Sequence, residues 1–127
     1  MRKKIWTVIF ASALLILLSV VEQKAVRTLT DEAMAQTQTI LQLLKSGQSE
    51  QGLEQARQMD TWWDEKAPRV EVLINHEATD DVRFTLSRLV AALEGEDCEE
   101  AIVFARELEG GIEHVLERQV LSLQNLL

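Results

Sequence analysis

His76-Glu77 with Asp80 and Asp81 is the densest set of side chains able to do chemistry. His76 and Asp80 stand four residues apart, so on a helix they share a face and form two potential metal ligands. A zinc centre needs three or four ligands, and His114 with Glu113 or Glu117 supplies more only if folding brings it close. The helical histidine pair of metalloproteases is absent, as are a nucleophile elbow, a phosphate loop, a dinucleotide fingerprint and a Ser/His/Asp set. Paired carboxylates are common, but an acidic helical surface presents them without catalysis. The motif content therefore predicts a protein that is not an enzyme and needs no cofactor or metal.

Recognition offers better candidates. Trp62 and Trp63 are adjacent, so on a helix they point about 100° apart, and only one faces a core directly. Trp63 shares the Met59 side and is the core candidate; Trp62 is left under a helix end or available to a partner. Leu121, Leu123, Leu126 and Leu127 put more apolar surface at the end of the chain than one buried stripe requires. Cys98 stands alone between Asp97 and Glu99, which excludes an internal disulfide and supplies none of the positive charge that activates a thiol.

The elements that position these residues are helical. One proline, five glycines and apolar residues recurring at three- and four-residue steps argue against a turn-rich β fold. A first helix is predicted over residues 30–45, with Thr30 as N-cap or as a continuation of whatever precedes it. A second runs over 50–66, stopped by Pro68, because the residue before proline avoids the α region. A third covers 69–94, and a fourth begins at Asp97, whose spacing to Glu100 is that of a capping box. Gly110-Gly111 inside the fourth marks a kink or a close approach. Shifting the chain by 49 residues superposes Thr30-Asp31 on Thr79-Asp80, Leu44 on Leu93, Glu50 on Glu99 and Ala56-Arg57 on Ala105-Arg106. Two similar hairpins packed together explain this register; chance likeness between amphipathic hairpins is the alternative.

Ahead of that domain lies a segment of another kind. After Arg2-Lys3-Lys4, no side chain from Ile5 to Val21 is charged, and eleven of these residues are Leu, Ile, Val or Phe. Those eleven contribute about −3 to −6 kcal/mol toward membrane insertion. Lys4 can snorkel and Trp6 can sit in the interfacial belt, which lengthens a slightly short span. No cut after Val21 or Ala25 leaves small residues at both required positions, so an uncleaved anchor is expected rather than a removed signal. The basic start places the amino-terminal side in the cytoplasm. Residues 1–27 then form the tip, anchor and juxtamembrane segment, and residues 28–127 form an extracytoplasmic domain at the cell membrane.

Thirteen basic against 21 acidic residues give a net charge of −8. Beyond the anchor the balance is about −11, which argues against nucleic acid and, with no basic stripe in view, against anionic headgroups.

At Trp62-Trp63, Ile74-Asn75-His76-Glu77, Asp80 and the ending Leu121-Ser122-Leu123-Gln124-Asn125-Leu126-Leu127, the chain resembles a family of small membrane-anchored bacterial proteins. This is the DUF4363 family, found mainly in Firmicutes. The chain departs from its pattern at Gln124, where the family carries Glu. The resemblance spans nearly the whole chain, anchor included. It implies an all-helical domain at the cell envelope without an active site, working beside multi-pass membrane proteins. The expectation is thus an all-α protein: a transmembrane helix, then an antiparallel four-helix domain of two related hairpins. Its predicted role is that of an accessory or scaffold subunit that touches the bilayer through residues 5–21 and another membrane protein through Trp62, Trp63, Asn75, His76, Leu121, Leu126 and Leu127. The alternative is an extracytoplasmic sensor or metal-binding module using His76, Asp80 and His114.

Overall fold

A computed structural model describes residues 1–71, 74 and 76–126, with the helical backbone alone for 119–126. It contains four helices: α1 (Arg2–Lys45), α2 (Ser49–Glu71), α3 (His76–Glu94) and α4 (Cys98–Leu126). They pack in a ring, α1 on α2 and α4, α3 on α2 and α4. Short connections make successive helices antiparallel, the up-down-up-down arrangement of a four-helix bundle.

The anchor and the first bundle helix are one element. Nothing between Val21 and Thr30 is glycine or proline, and Val26, Leu29 and Ala33 are already buried, so no break intervenes. Thr30 therefore does not cap. It is buried within α1, its hydroxyl donating to the Arg27 carbonyl at 3.0 Å. At 1.5 Å per residue, α1 extends about 66 Å, and its apolar first half stands clear of the bundle.

Pro68 does not end α2, contrary to the sequence expectation. The ring removes one N–H and costs about 3 kcal/mol in a helix interior. Pro68 is exposed on the outer face, and continuing for another turn buries Ala67 and Val70 and delivers Glu71 to a partner on α3. Val70 thus belongs to α2, and the third helix begins at His76 instead of near residue 69.

The core is an unbroken column. Trp63, Ile40, Met59, Leu86, Leu89, Leu108 and Ile112 are its largest fully buried side chains. Its polar members are satisfied: the Thr37 hydroxyl donates to Ala33 O at 2.8 Å, and the Trp63 indole N–H donates to Thr79 O at 3.3 Å, tying α2 to α3. Gly110-Gly111 produces no break in α4. A Cβ on Gly110 would meet open space, and one on Gly111 would lie 3.6 Å from Val82 Cγ2, an ordinary contact.

The 49-residue register reappears in the backbone. After α1, Gly47 N–H donates to Leu44 O at 3.2 Å and Gln48 N–H to Leu43 O at 2.9 Å. After α3, Glu96 N–H donates to Leu93 O at 3.2 Å and Asp97 N–H to Ala92 O at 2.9 Å. Both are Schellman caps. The left-handed position falls on Gly47 (φ 76°) in the first turn and on Glu96 (φ 57°) in the second. Asp97 then caps α4, its Oδ1 accepting from Glu100 N at 3.1 Å. Buried positions repeat as well: Ile40 and Leu89, Ala56 and Ala105, Met59 and Leu108, Trp63 and Ile112.

A left-handed non-glycine residue costs about 1–2 kcal/mol, part of which glycine returns through its greater freedom when unfolded. Glu96→Gly is therefore expected to stabilise the bundle by about 0.5–1 kcal/mol, and Gly47→Ala to destabilise it by a similar amount. Thermal unfolding in detergent micelles measures both.

Candidate functional site

The two Schellman turns lie at one end of the bundle. The emergence of the anchor and the α2–α3 connection lie at the other, and the polar side chains singled out in the sequence gather there. Arg83 of α3 is the hub. Its Nε donates to Asp64 Oδ1 at 3.1 Å, Nη1 to Asp80 Oδ1 at 2.6 Å and Nη2 to Glu71 Oε1 at 3.2 Å. The Thr79 hydroxyl adds a contact to Glu71 Oε1 at 3.0 Å, and His76 Nδ1 lies 3.5 Å from Glu71 Oε2.

Burial alone would raise the Glu71 carboxyl. The hydrogen bonds from Thr79 and Arg83, with the Arg83 and His76 charges, outweigh it and hold the group below its ordinary value. Arg83 is likewise subject to a downward push from burial, overcome by its carboxylate partners, and its net shift is upward. Asp60, one turn before Asp64, moves up because burial and the Asp64 charge prevail over Arg83. A carboxylate held low is a weak base and carries no proton to give near neutral pH. This geometry suits a clasp between α2 and α3 rather than acid–base chemistry.

The remaining sequence candidates separate. Asp80 is engaged by Arg83 while His76 leans on Glu71, so the pair four residues apart turns to different partners. His114 sits on α4, accepting from Arg118 Nε at 3.2 Å, and Arg118 reaches Glu77 of α3 at 3.7 Å. Among the described residues, no three His, Cys, Asp or Glu side chains converge as metal ligands. Trp63 is fully buried, whereas Trp62 is half-buried, its ring 6.2 Å from that of Trp63 at a 51° tilt. Leu121 and Leu126 lie on the α4 backbone, but their side chains, like Asn75 and Leu127, fall outside the described residues. Cys98 is half-buried with Sγ 3.9 Å from Leu44 O, a packing position at the start of α4.

The sequence reading did not name Asp64, Glu71 or Arg83 of the clasp, and two further features escaped it. Phe84 on α3 and Val103 on α4 are exposed at 61% and 53%, although each lies within an amphipathic helix. Neither breaks the apolar period strongly enough to stand out in the sequence. The second is a groove of about 240 Å³ between α1 and α2, where Trp62, Lys66 and Arg69 meet Thr28, Leu29 and Glu32. Its lining comes from two segments far apart in sequence, so no local motif announces it.

The profile described as Domain of unknown function (DUF4363) matches residues 20–126. The chain belongs to this family. The matched stretch takes in the whole bundle and only the last two residues of the apolar run, less of the anchor than the resemblance implied. A search of curated proteins and a search of solved structures each returned no match.

The Arg83 clasp carries a prediction with a defined sign. The folded Glu71 pKa lies below its unfolded value, so its stabilisation is complete above the unfolded value, roughly 4.3. It is lost as pH falls through the lower, folded value. Arg83→Met should cost about 2 kcal/mol at pH 7, because a carboxylate with only 13% of its side chain exposed loses its charged partner. Urea titrations across pH should show that penalty shrinking once Glu71 is protonated, and Glu71→Gln should flatten the acid limb. Asp60 has the opposite sign: Asp60→Asn should stabilise at neutral pH.

Proposed function

We propose that this chain is a membrane-tethered interaction subunit. Its apolar helix spans the bilayer, and its bundle, held at the extracytoplasmic surface, docks another membrane protein without catalysing a reaction. The observation that carries this reading is where large apolar side chains are exposed. Among the described residues they all fall within the first 21 positions, except Phe84 and Val103 on α3 and α4. The first group fits lipid, because the helix that bears it has a strongly apolar window with no buried share. The second group gives α3 and α4, in an otherwise acidic bundle, one exposed apolar side chain each, and apolar and aromatic anchors are what partner surfaces use.

The orientation rests on Arg2, Lys3 and Lys4 against Lys24, Arg27 and Glu22, since the positive-inside bias counts residues near the span in sequence. Lys66 and Arg69 arrive beside the anchor only through folding and do not enter that count.

A photo-crosslinking residue at Phe84 or Val103, in native membranes, should yield one discrete adduct with an integral membrane protein, and at Gln58 on exposed α2 it should yield none. Phe84→Ser should leave the unfolding free energy within about 0.5 kcal/mol and abolish co-purification of that protein. A chain that gives no adduct from either position and leaves mild detergent as a lone monomer contradicts the reading.

A further inference from the structure

The groove between α1 and α2 lies where the anchor leaves the bilayer, and we propose that it binds the phosphodiester headgroup of an anionic lipid from that same bilayer. The inference rests on the reading of residues 5–21 as a membrane span and is independent of the partner on the α3–α4 side.

Register fixes the height of the site. In the antiparallel α1–α2 pair, a Cβ on Gly52 would meet Leu44, and Thr37 meets Met59. The same register sets Lys66 beside residue 30 and Arg69 beside residue 27. These levels are about 14 and 9 Å beyond Val21 along α1, at 1.5 Å per residue. The headgroup region extends about 5–7 Å from the hydrocarbon edge. Arg69, at the lower of the two levels, comes within side-chain reach of that layer when it snorkels toward it, and Lys66 stands one turn farther out. Ala25 and Arg69 form the mouth on the bilayer side, Leu29 the floor, and Trp62 with Glu32 the far wall.

The charge of the groove opposes that of the domain. Lys66 and Arg69 have no hydrogen-bonded or ion-paired partner among the described residues, whereas Arg57, Arg83 and Arg118 are all paired with carboxylates. Against these two cations stands one lining carboxylate, Glu32, in a domain that carries about −11 overall. Lys24 and Arg27 are exposed on the adjoining turn of α1 and add positive charge, against which Glu22, one turn before Ala25, sets one negative charge. A phosphodiester is the anion that the adjoining headgroup layer provides in quantity. Lysine supplies a point charge for it and arginine a planar fork. A soluble acidic peptide would instead have to approach past the surrounding acidic surface.

The experiment uses the full chain in nanodiscs of phosphatidylcholine, with or without phosphatidylglycerol, and reads the Tm. A domain of net negative charge without such a site should be destabilised by anionic lipid. The proposal requires a rise of at least about 4 °C. The double variant Lys66→Gln/Arg69→Gln should lose that rise, while Arg88→Gln/Arg106→Gln, the same charge change on the other side of the bundle, should keep it. No rise, in a protein that floats with phosphatidylcholine vesicles in a parallel flotation assay, overturns the site and leaves the anchor intact, as does a rise that survives in Lys66→Gln/Arg69→Gln. Equal stabilisation by inorganic phosphate in phosphatidylcholine discs assigns the groove to a soluble anion and rejects the lipid. A protein that fails to float removes the anchor and the site together.

Discussion

The continuity of α1 is the constraint on which everything else rests. A helix keeps going unless its sequence supplies a reason to stop, and between Val21 and Ala33 there is none: no glycine, no proline, and a core stripe that begins at Val26. The apolar and core-packed halves therefore share one hydrogen-bonded backbone. A flexible linker would let the bundle wander over the membrane. An unbroken helix fixes both its height and its rotation, since every residue of rise also sets 100° of azimuth. That coupling sets the end of the bundle that holds Glu71 and His76 next to the apolar half of α1, and the end that holds the two Schellman turns away from it.

The bundle attached to that rod is two hairpins that share one register. Each hairpin closes with the same pair of capping hydrogen bonds, 49 residues apart, and their buried positions interlock in the same register. The two hairpins differ at particular positions. Gly47 retains the residue suited to a left-handed cap while Glu96 bears strain in the equivalent place, and Trp63 stands where Ile112 does. The indole fills more of the core near the anchor and adds a hydrogen bond to Thr79. With the Arg83 clasp, it concentrates specific ties at the end of the bundle nearest the membrane.

Much of this architecture was legible in the residues. Apolar spacing identified the helices, Asp97 announced the start of α4, and the weak repeat pointed to the turn geometry although it rested on few identities. What misled was local chemistry that tertiary burial overrode. Pro68 reads as a stop until the burial of Val70 and the pairing of Glu71 are counted, and Thr30 reads as a cap until its neighbours prove to be core. The groove was illegible for a different reason. Lys66 and Arg69 lie far along the chain from Ala25 and Thr28, and a net charge taken over the whole domain hides a small positive site. Charge averaged over a sequence excludes broad classes of partner; it does not describe the surface that folding assembles beside the anchor.

Two spin labels on α1 test the unbroken rod most directly. Val20 and Gln38 are both exposed, the first in the apolar half and the second on the bundle. Eighteen residues make five whole turns, so the two sites share a face about 27 Å apart. Pulsed dipolar spectroscopy of the doubly labelled chain in lipid nanodiscs should return a narrow distribution centred near that distance. A broad distribution, or one centred well below it, would reveal a hinge between the apolar half of α1 and the bundle and contradict the fixed placement of one on the other.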